Sequence, residues 1–380
     1  MDSIRFNVDS VLTKLSQVAS VVNGKSILPV FDCVRFFDDD GKFTLMASDG
    51  ETWVKEHCSG VVCDFSFDFC VNARNIVSTF RNLSSVDVEI KIDTTKKLLY
   101  GLYGKKGKFQ LPIIDGSDFV EATKIDESSS VHLSVNKNKF LVAIDNTSFA
   151  VANDELHPVM NGIHFDLSSD CLECASSDGT KLVYFADYSI KGDNDKKGFT
   201  LPTKPASILS QIMSSDKSDE VNLVFNADHV KFVGEFWEIS TRLCVGNYPN
   251  YKAVIPTANE NKAVIDKSCI LSILNRIMPF GNDNSKLVRL TFDKTNQELL
   301  LTTEDIDWAT SAQESMSCEY NGELLCIGFK GDLFVQIIKN IKCDKIIIEM
   351  NSKQMAAIFR PYDDLDETKY VSILMPMKID

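Results

Sequence analysis

Apolar positions along this chain alternate between a spacing of two and a spacing of three to four, and they do so in the same order three times. The first pass opens with Ile4-Arg-Phe-Asn-Val8, whose alternation predicts a half-buried strand, and continues from Asp9 to Val22 with the 3.6-residue pattern of an amphipathic helix. The second pass runs Val131-His-Leu-Ser-Val135 into Asn136–Asp145, and the third runs Lys262-Ala-Val-Ile265 into Asp266–Ile277. Each helix opens on an Asp or Asn, whose side chain can accept a hydrogen bond from an unpaired N–H of the first turn. Asp9, Asn136 and Asp266 are therefore predicted N-caps, and they fall 127 and 130 residues apart.

Two further landmarks recur at the same period. A β-rich run ends in an acidic turn at Phe43–Gly50, at Cys171–Gly179 and at Leu299–Asp305, with Asp49, Asp178 and Glu304 in equivalent places. Such turns use Gly for a positive φ and Asp to bond its own backbone, so they predict hairpins before they predict carboxylate chemistry. A second strand-helix-strand follows each turn, over Phe69–Ile92, Phe199–Phe225 and Leu325–Met350. Three landmarks in one order at one period predict an α+β chain of three tandem repeated domains, each with two helices on about eight antiparallel strands.

Length agrees, since 380 residues at about 100 to 200 per domain give two or three domains. The polar, turn-rich stretches Asp126–Ser130 and Pro256–Lys262 set boundaries that give domains 1–127, 128–256 and 257–380. Hydrophobic residues at 44% and charged residues at 25% are those of an ordinary globular protein. The N-terminus has no apolar signal core and no run approaches the ~18 apolar residues of a membrane span, so the chain is expected to stay in the cytoplasm, away from membranes.

The eleven cysteines are scattered and odd in number, which suits buried thiols better than a disulfide framework. Cys171 and Cys174 form the one CxxC, a fragment of a zinc site with no second pair or His at ligand spacing, and the five histidines show no metal or triad spacing. No metal or other cofactor is expected. The net charge of −14 argues against nucleic acid, but the charge is sorted. The predicted helices carry Lys14, Arg74, Arg81, Lys137, Lys139, Lys204, Lys267, Arg276, Lys330 and Lys339 against only four acids. That pattern suits either solvated helix faces or a surface that attracts a phosphate backbone without reading bases.

The final stretch, Tyr370-Val-Ser-Ile-Leu-Met-Pro-Met-Lys-Ile-Asp380, is apolar where chain ends are normally polar. It reads either as a last edge strand with a tail, since Pro cannot donate to a ladder, or as one wall of an adaptable peptide pocket rich in Met.

With these landmarks assembled, the chain resembles the bacterial DNA polymerase III beta subunit, the sliding-clamp family, over essentially its whole length. The most specific points are Tyr370 with Met375-Pro-Met-Lys-Ile379, Asn247–Pro256, Met160-Asn-Gly162, Ser177–Leu182 and Asn72-Ala-Arg74. The resemblance implies a DNA-clamp fold, half of a head-to-tail homodimeric ring with helices lining a hole for duplex DNA, and no catalytic role. It implies partners that include double-stranded DNA without sequence preference, the replicative polymerase, the clamp loader and other clamp-motif proteins.

Carried over by position, the resemblance implies a partner-peptide pocket of Met160, Ser177, Gly179, Thr180, Lys181, Leu182, Pro249, Val254, Ile373, Met375, Pro376, Met377 and Lys378. It implies DNA contacts from Lys25, Arg74, Arg81, Lys137 and Lys204, and a dimer contact pairing Phe109 and Leu111 with Met278 and Phe280 of a second copy. The chain departs from the common family pattern at Thr180-Lys181, Ala253 and Asp380, and at Pro158-Val159. Two readings of other classes stand beside this one. The acid pairs Asp38–Asp40 and Asp363-Asp364 could mark a metal-dependent hydrolase, and the repeats alone could build a protein-binding scaffold that ignores DNA.

Overall fold

The computed structural model describes residues 3–61, 65–126, 130–192, 197–363 and 367–379. Within the span 1–127 it has eight strands and helices α1 (Asp9–Ala19) and α2 (Ala73–Arg81). The span 128–256 has eight strands with α3 (Lys137–Thr147) and α4 (Thr203–Ser215), and the span 257–380 has nine with α5 (Lys267–Ile277) and α6 (Gly331–Asn340). The repeated strand-helix order is therefore present three times.

The packing does not divide at those spans. One compact unit comprises Met1–Leu141 with Lys204–Leu243, and the other Val142–Thr203 with Cys244–Asp380. The reason lies in the sheets. In the first unit a twelve-stranded sheet runs, in spatial order, through Ser3–Asn7, Asp87–Asp93, Leu98–Tyr103, Gly107–Asp115, Asp68–Asn72, Cys33–Asp39, Lys42–Ser48 and Thr52–His57. It then continues into the middle repeat through Trp237–Arg242, His229–Val233, Glu220–Phe225 and Val131–Asn136, with Val54 opposite Ile239 at the join.

The second unit repeats the device. A nine-stranded sheet runs through Lys197–Pro202, Gly162–Leu167, Leu172–Ser177, Lys181–Asp187, Thr368–Leu374, Ala357–Pro361, Lys345–Met350, Asn261–Asp266 and Glu319–Tyr320. A four-stranded sheet adds Thr310–Ser317, Glu298–Asp305, Leu287–Asp293 and Leu325–Lys330. The final strand, expected at an edge, is interior. It pairs with Lys181–Asp187 on one side and Ala357–Pro361 on the other, and the ladder ends at Leu374 before Pro376 can interrupt it.

Side-chain alternation explains which faces are covered. Leu287–Asp293 buries every second residue, as a strand with one core face should, whereas Lys181–Asp187 is buried throughout because both its faces are packed. The helices bury residues three and four apart: Val11, Leu15 and Val18 of α1, Ile270, Ile273, Leu274 and Ile277 of α5, and Phe334, Ile337 and Ile338 of α6. Aromatic pairs fill the spaces beneath. Phe36 stacks on Phe69 at 5.4 Å and 4°, and Phe329 on Phe334 at 5.5 Å and 21°.

Two of the three expected caps hold their helices, with Asn136 accepting from Lys139 N at 3.1 Å and Asp266 from Cys269 N at 2.7 Å. Asp9 does not cap. Asn7 takes the Asp9 N–H, while the Asp9 carboxylate accepts from Ser84 and Ser85 across the turn after α2, which holds it below the usual carboxylate range. Of the cysteines, Cys33, Cys58, Cys70, Cys171, Cys174 and Cys318 are buried, but Cys244, Cys269, Cys326 and Cys343 are only partly so, and Cys63 lies outside the described residues. Burial pushes the Cys58 and Cys70 thiols up to about 12, which keeps them protonated and inert.

One buried acid makes a pH prediction. Glu56, on the strand Thr52–His57, is 3% exposed and its Oε1 has no hydrogen-bond partner among the described residues. Burial pushes its carboxyl up to about 8; Lys14 opposes that shift and Asp216 adds to it. A carboxyl with a raised folded-state pKa stabilises fully below its unfolded pKa of about 4.3, and that contribution drains away as pH rises to about 8. Glu56→Gln should therefore flatten the pH dependence of urea unfolding over that window and exceed wild type by on the order of 2 kcal/mol at the alkaline end. Parallel pH profiles for the two proteins would show that Glu56 is charged in the native state.

Candidate functional site

The apolar cavity of interest belongs to the second unit and has a volume of about 320 Å³. Its floor is a row across neighbouring strands, because Leu182 lies opposite Ile373 and Ile373 opposite Ile358. Leu182 and Ile373 are buried, as are Tyr184, Tyr251 and Ala356 in the same cluster. Over this floor stand Pro249, Val254 and Met375, and the last two are 60% and 45% exposed. Met160, at the end of the short 3-10 turn Pro158–Met160, and the Ser177–Lys181 turn complete the wall.

The polar groups of the Ser177–Lys181 turn and of the carboxylates beneath the cavity are already used. Asp178 accepts from Thr180 N at 2.9 Å and Lys181 N at 2.8 Å, and Gly179 takes the positive φ of 84° that the turn needs. The Lys181 ammonium is pinned to Asp178 at 2.5 Å, so only its stem faces the cavity. Ser177 Oγ donates to Lys181 O and accepts from Gly179 N. Beneath, Glu173 accepts from Tyr184 Oη at 2.7 Å and Lys252 Nζ at 2.6 Å, while Asp166 accepts from Tyr251 Oη at 2.8 Å. Burial, with the neighbouring carboxylates, raises the Tyr184 and Tyr251 phenols above their ordinary range, and burial pushes Tyr248 up to about 12. The phenols stay neutral, with the Tyr184 and Tyr251 hydroxyls turned to the carboxylates, the Tyr248 hydroxyl buried without a partner among the described residues, and the Tyr248 and Tyr251 rings left as wall. Tyr248 stacks on His164 at 4.7 Å and 7°. What remains is a rigid, largely apolar socket with an open rim.

Ten of the thirteen pocket residues inferred from resemblance line this cavity: Met160, Ser177, Gly179, Thr180, Lys181, Leu182, Pro249, Val254, Ile373 and Met375. Pro376, Met377 and Lys378 do not. The chain leaves the wall after Met375, whose N–H donates to Thr180 O at 2.9 Å, and Met377 N then donates to Gly328 O at 2.8 Å, tying the tail to another strand. A Cβ at Gly328 would lie 2.6 Å from Ile379, so glycine is what lets the tail lie there. Tyr248, Asn250, Tyr251 and Ala356 also line the cavity and were missed. The Asn247–Pro256 segment carried a signal for the first three; nothing in sequence marks Ala356.

The expected DNA contacts separate into two kinds. Arg74 and Arg81 are exposed on α2 and line a groove of mixed polarity with Ser20, Val22, Asn23, Val77 and Gln211, and exposed Lys25 adjoins it beyond Gly24. Lys204 and Lys137 are committed elsewhere. Lys204 Nζ spends its hydrogens on Val21 O, Asn23 Oδ1 and Asp49 Oδ2 at 2.5–2.7 Å, and buried Lys137 donates to Asp216 O at 2.5 Å. An ammonium so bonded is a structural clip rather than a free phosphate ligand.

Two open strand edges carry the residues assigned to a dimer contact. Gly107–Asp115 pairs with Leu98–Tyr103 along its first part and with Phe69–Val71 only from Ile113 onward, leaving one side of Lys108–Leu111 without a strand partner among the described residues. Half-buried Phe109 and Leu111 alternate there with exposed Lys108 and Gln110. Thr310–Ser317 is the outermost strand of the four-stranded sheet, and Phe280, 47% exposed on the turn Met278–Phe280, is tied to it by a 2.9 Å bond from Thr310 Oγ1.

The acid runs resolve into turns and ion pairs. Asp38 accepts from Gly41 N, Asp39 pairs with Lys55 at 2.6 Å and Asp40 has a φ of 52°, a hairpin's geometry; Asp364 and Asp380 lie outside the described residues. In the third acidic turn Asp305, not Glu304, takes the role of Asp49 and Asp178, accepting from Asp307 N and Trp308 N, while Glu304 pairs with Arg289. Among the described residues no three of His, Cys, Asp or Glu gather as a metal site, and no helix is long and apolar enough to cross a membrane.

Models of the N-terminal, central and C-terminal domains of the DNA polymerase III beta subunit match residues 3–123, 134–250 and 252–378. The beta sliding clamp of Pseudomonas aeruginosa is 23% identical over 375 residues, covering 98% of both chains, and that of Treponema pallidum 24% identical over 380 residues with the same coverage. Among solved structures, a sliding clamp from Pseudomonas aeruginosa bound to griselimycin superposes with a TM-score of 0.90 at 21% identity, and the DNA polymerase III beta subunit of Thermotoga maritima with 0.90 at 20%, each covering all of both chains.

Proposed function

The chain belongs to the DNA polymerase III beta subunit family and is a sliding clamp, and on that premise we propose that two copies close head to tail into a ring around duplex DNA. The ring tethers a replicative polymerase, and the clamp loader and other partners dock by short apolar peptides in the cavity floored by Leu182 and Ile373. The chain itself is a processivity subunit and not an enzyme. Its three domains are taken as 1–127, 128–256 and 257–380, with the first and second, and the second and third, sharing sheets as described.

The observation that carries the tethering role is the cavity itself. The Ser177–Lys181 turn and the Tyr251 hydroxyl are satisfied internally and the Tyr248 hydroxyl alone is buried without a partner among the described residues, so an apolar side chain can enter without breaking those hydrogen bonds, and the open rim admits a chain rather than a free metabolite. Duplex DNA is held by topology, with Lys25, Arg74 and Arg81 adding weak contacts to phosphates. This division explains how a chain of net charge −14 serves on DNA.

Topology and contact can be separated in one experiment. Loaded onto a nicked circular duplex by a bacterial clamp loader, the protein should survive high-salt gel filtration with the circle and leave it after one linearising cut. Arg74→Ala, Arg81→Ala should be retained equally on the circle. For a short duplex, however, the slope of log affinity against log salt should fall by up to roughly 2, one unit for each phosphate contact. Equal loss from circle and linear DNA would remove the ring, and an unchanged salt slope would remove the groove as a DNA face.

A further inference from the structure

Of the chain's three tryptophans, Trp53 and Trp237 are buried at 8% and 5% exposure, whereas Trp308 is 81% exposed. Ile306, two residues earlier, is 83% exposed. A loose loop could explain such residues, but this turn is built. The Asp305 carboxylate, itself buried, accepts from Asp307 N at 2.9 Å, Trp308 N at 3.1 Å and Asn282 Nδ2 at 3.1 Å, tying the turn to the segment after Phe280. Ala309 is held at a φ of 52°, a conformation that an L-residue adopts only under constraint. The turn thus presents a large aromatic ring to solvent in a fixed position, which is how a preorganised interface anchor is made.

We propose that Trp308, with Ile306, anchors the contact between two copies of this chain, seating against the open edge of Gly107–Asp115 on the second copy. The proposal rests on the head-to-tail reading above and names a residue which that reading did not contain. Continuity supports it, because the turn leads directly into the open strand Thr310–Ser317 and is bonded to Phe280 through Thr310. Charge supports it as well. Around the turn Arg276 and Arg289 offset Glu314 and Glu304, leaving Asp307 and Asp283 in excess. The hairpin that leads into Gly107–Asp115 carries Lys105, Lys106 and Lys108, none with an ion-pair partner among the described residues. A lysine-rich edge and an acid-flanked tryptophan on one chain are complementary between copies joined head to tail, a contact that closes when two are present.

The test is sedimentation velocity over a dilution series on the full-length wild type, Trp308→Ala, Trp308→Phe and Phe109→Asp, with tryptophan emission read on the wild type. Trp308→Ala should raise the dimer dissociation constant roughly 30-fold, Trp308→Phe should recover most of that loss, and wild-type emission should shift to the blue as dimer forms, since the two buried tryptophans have no water to lose. A Trp308→Ala dimer within about twofold of wild type, alongside a Phe109→Asp chain that dissociates, would overturn the anchor and leave the ring intact. A wild type that stays monomeric throughout would overturn the ring and the anchor together.

Discussion

The double variant Phe109→Asp, Phe280→Asp should sediment as a single chain of 42.5 kDa at concentrations where the wild type sediments at twice that mass. Each residue lies where the loss would be confined to association. Phe280 is 47% exposed, and Phe109 is half-buried over Gly101 on the open edge of its strand, so an aspartate at either position can turn to water in the free chain. In the closed ring both would enter a contact whose centre is apolar, and an unpaired carboxylate there costs several kcal/mol. A head-to-tail ring of two has two identical contacts, so every substitution acts twice. About 3 kcal/mol for each of two carboxylates in one contact would already weaken it by roughly 10⁴-fold, since 1.4 kcal/mol is a factor of ten. The unfolding midpoint should be unchanged, which separates loss of the ring from loss of the fold. A double variant that keeps the dimer mass would place the contact elsewhere, and a wild type that is monomeric at about tens of micromolar would end the topological mechanism.

Much of this architecture was legible because repetition multiplies weak signals. Any one amphipathic window is ambiguous, but three windows at nearly one period, each followed by an acidic turn and a second helix, leave few alternatives; the three opening helices lie within about three residues of where spacing puts them, and the second helix of each repeat falls inside its strand-helix-strand stretch. What the sequence hid is what depends on neighbours far along the chain. Asp9 looked like a cap equal to Asn136, yet Ser84 and Ser85 claim its carboxylate and Asn7 replaces it. Glu304 and Asp305 are adjacent acids, and only the hairpin shows which faces the turn and which faces Arg289. Lys204 reads as one more cation on a basic helix until Asp49, 155 residues earlier, is found holding it.

The sheets carry the same lesson at larger scale. Asp126–Ser130 and Pro256–Lys262 have the composition of linkers between domains. Hydrogen bonding runs across the repeats all the same, through Thr52–His57 with Trp237–Arg242 and through Lys181–Asp187 with Thr368–Leu374. These joins pair four strand edges that would otherwise be exposed, and Lys108–Leu111 and Thr310–Ser317 are among the edges that stay open in the described residues. The second join also explains the apolar C-terminus. Because Thr368–Leu374 is an interior strand, its residues are core, and the chain end becomes part of the cavity wall only where the ladder stops.

That stopping point yields the other large effect, in peptide binding. A labelled peptide carrying a polymerase's clamp-binding motif should lose affinity by more than about 100-fold for Val254→Asp, Met375→Asp, because each substitution removes an apolar contact worth about 1.5–3 kcal/mol and sets a carboxylate at the mouth of an apolar socket. The two side chains are 60% and 45% exposed, so their removal should leave fold and dimer mass intact. Single alanines then test the geometry of the tail. Met375→Ala should weaken the peptide roughly tenfold, since Met375 walls the cavity, whereas Met377→Ala and Lys378→Ala should stay within about twofold because the chain has left the wall by then. Met377 holds its place through its own N–H to Gly328 O, a bond that alanine keeps. Fluorescence anisotropy on the four variants decides the matter. If Met377→Ala cost as much as Met375→Ala, the tail would have to leave Gly328 and fold over the bound peptide; if neither mattered, the peptide would bind elsewhere.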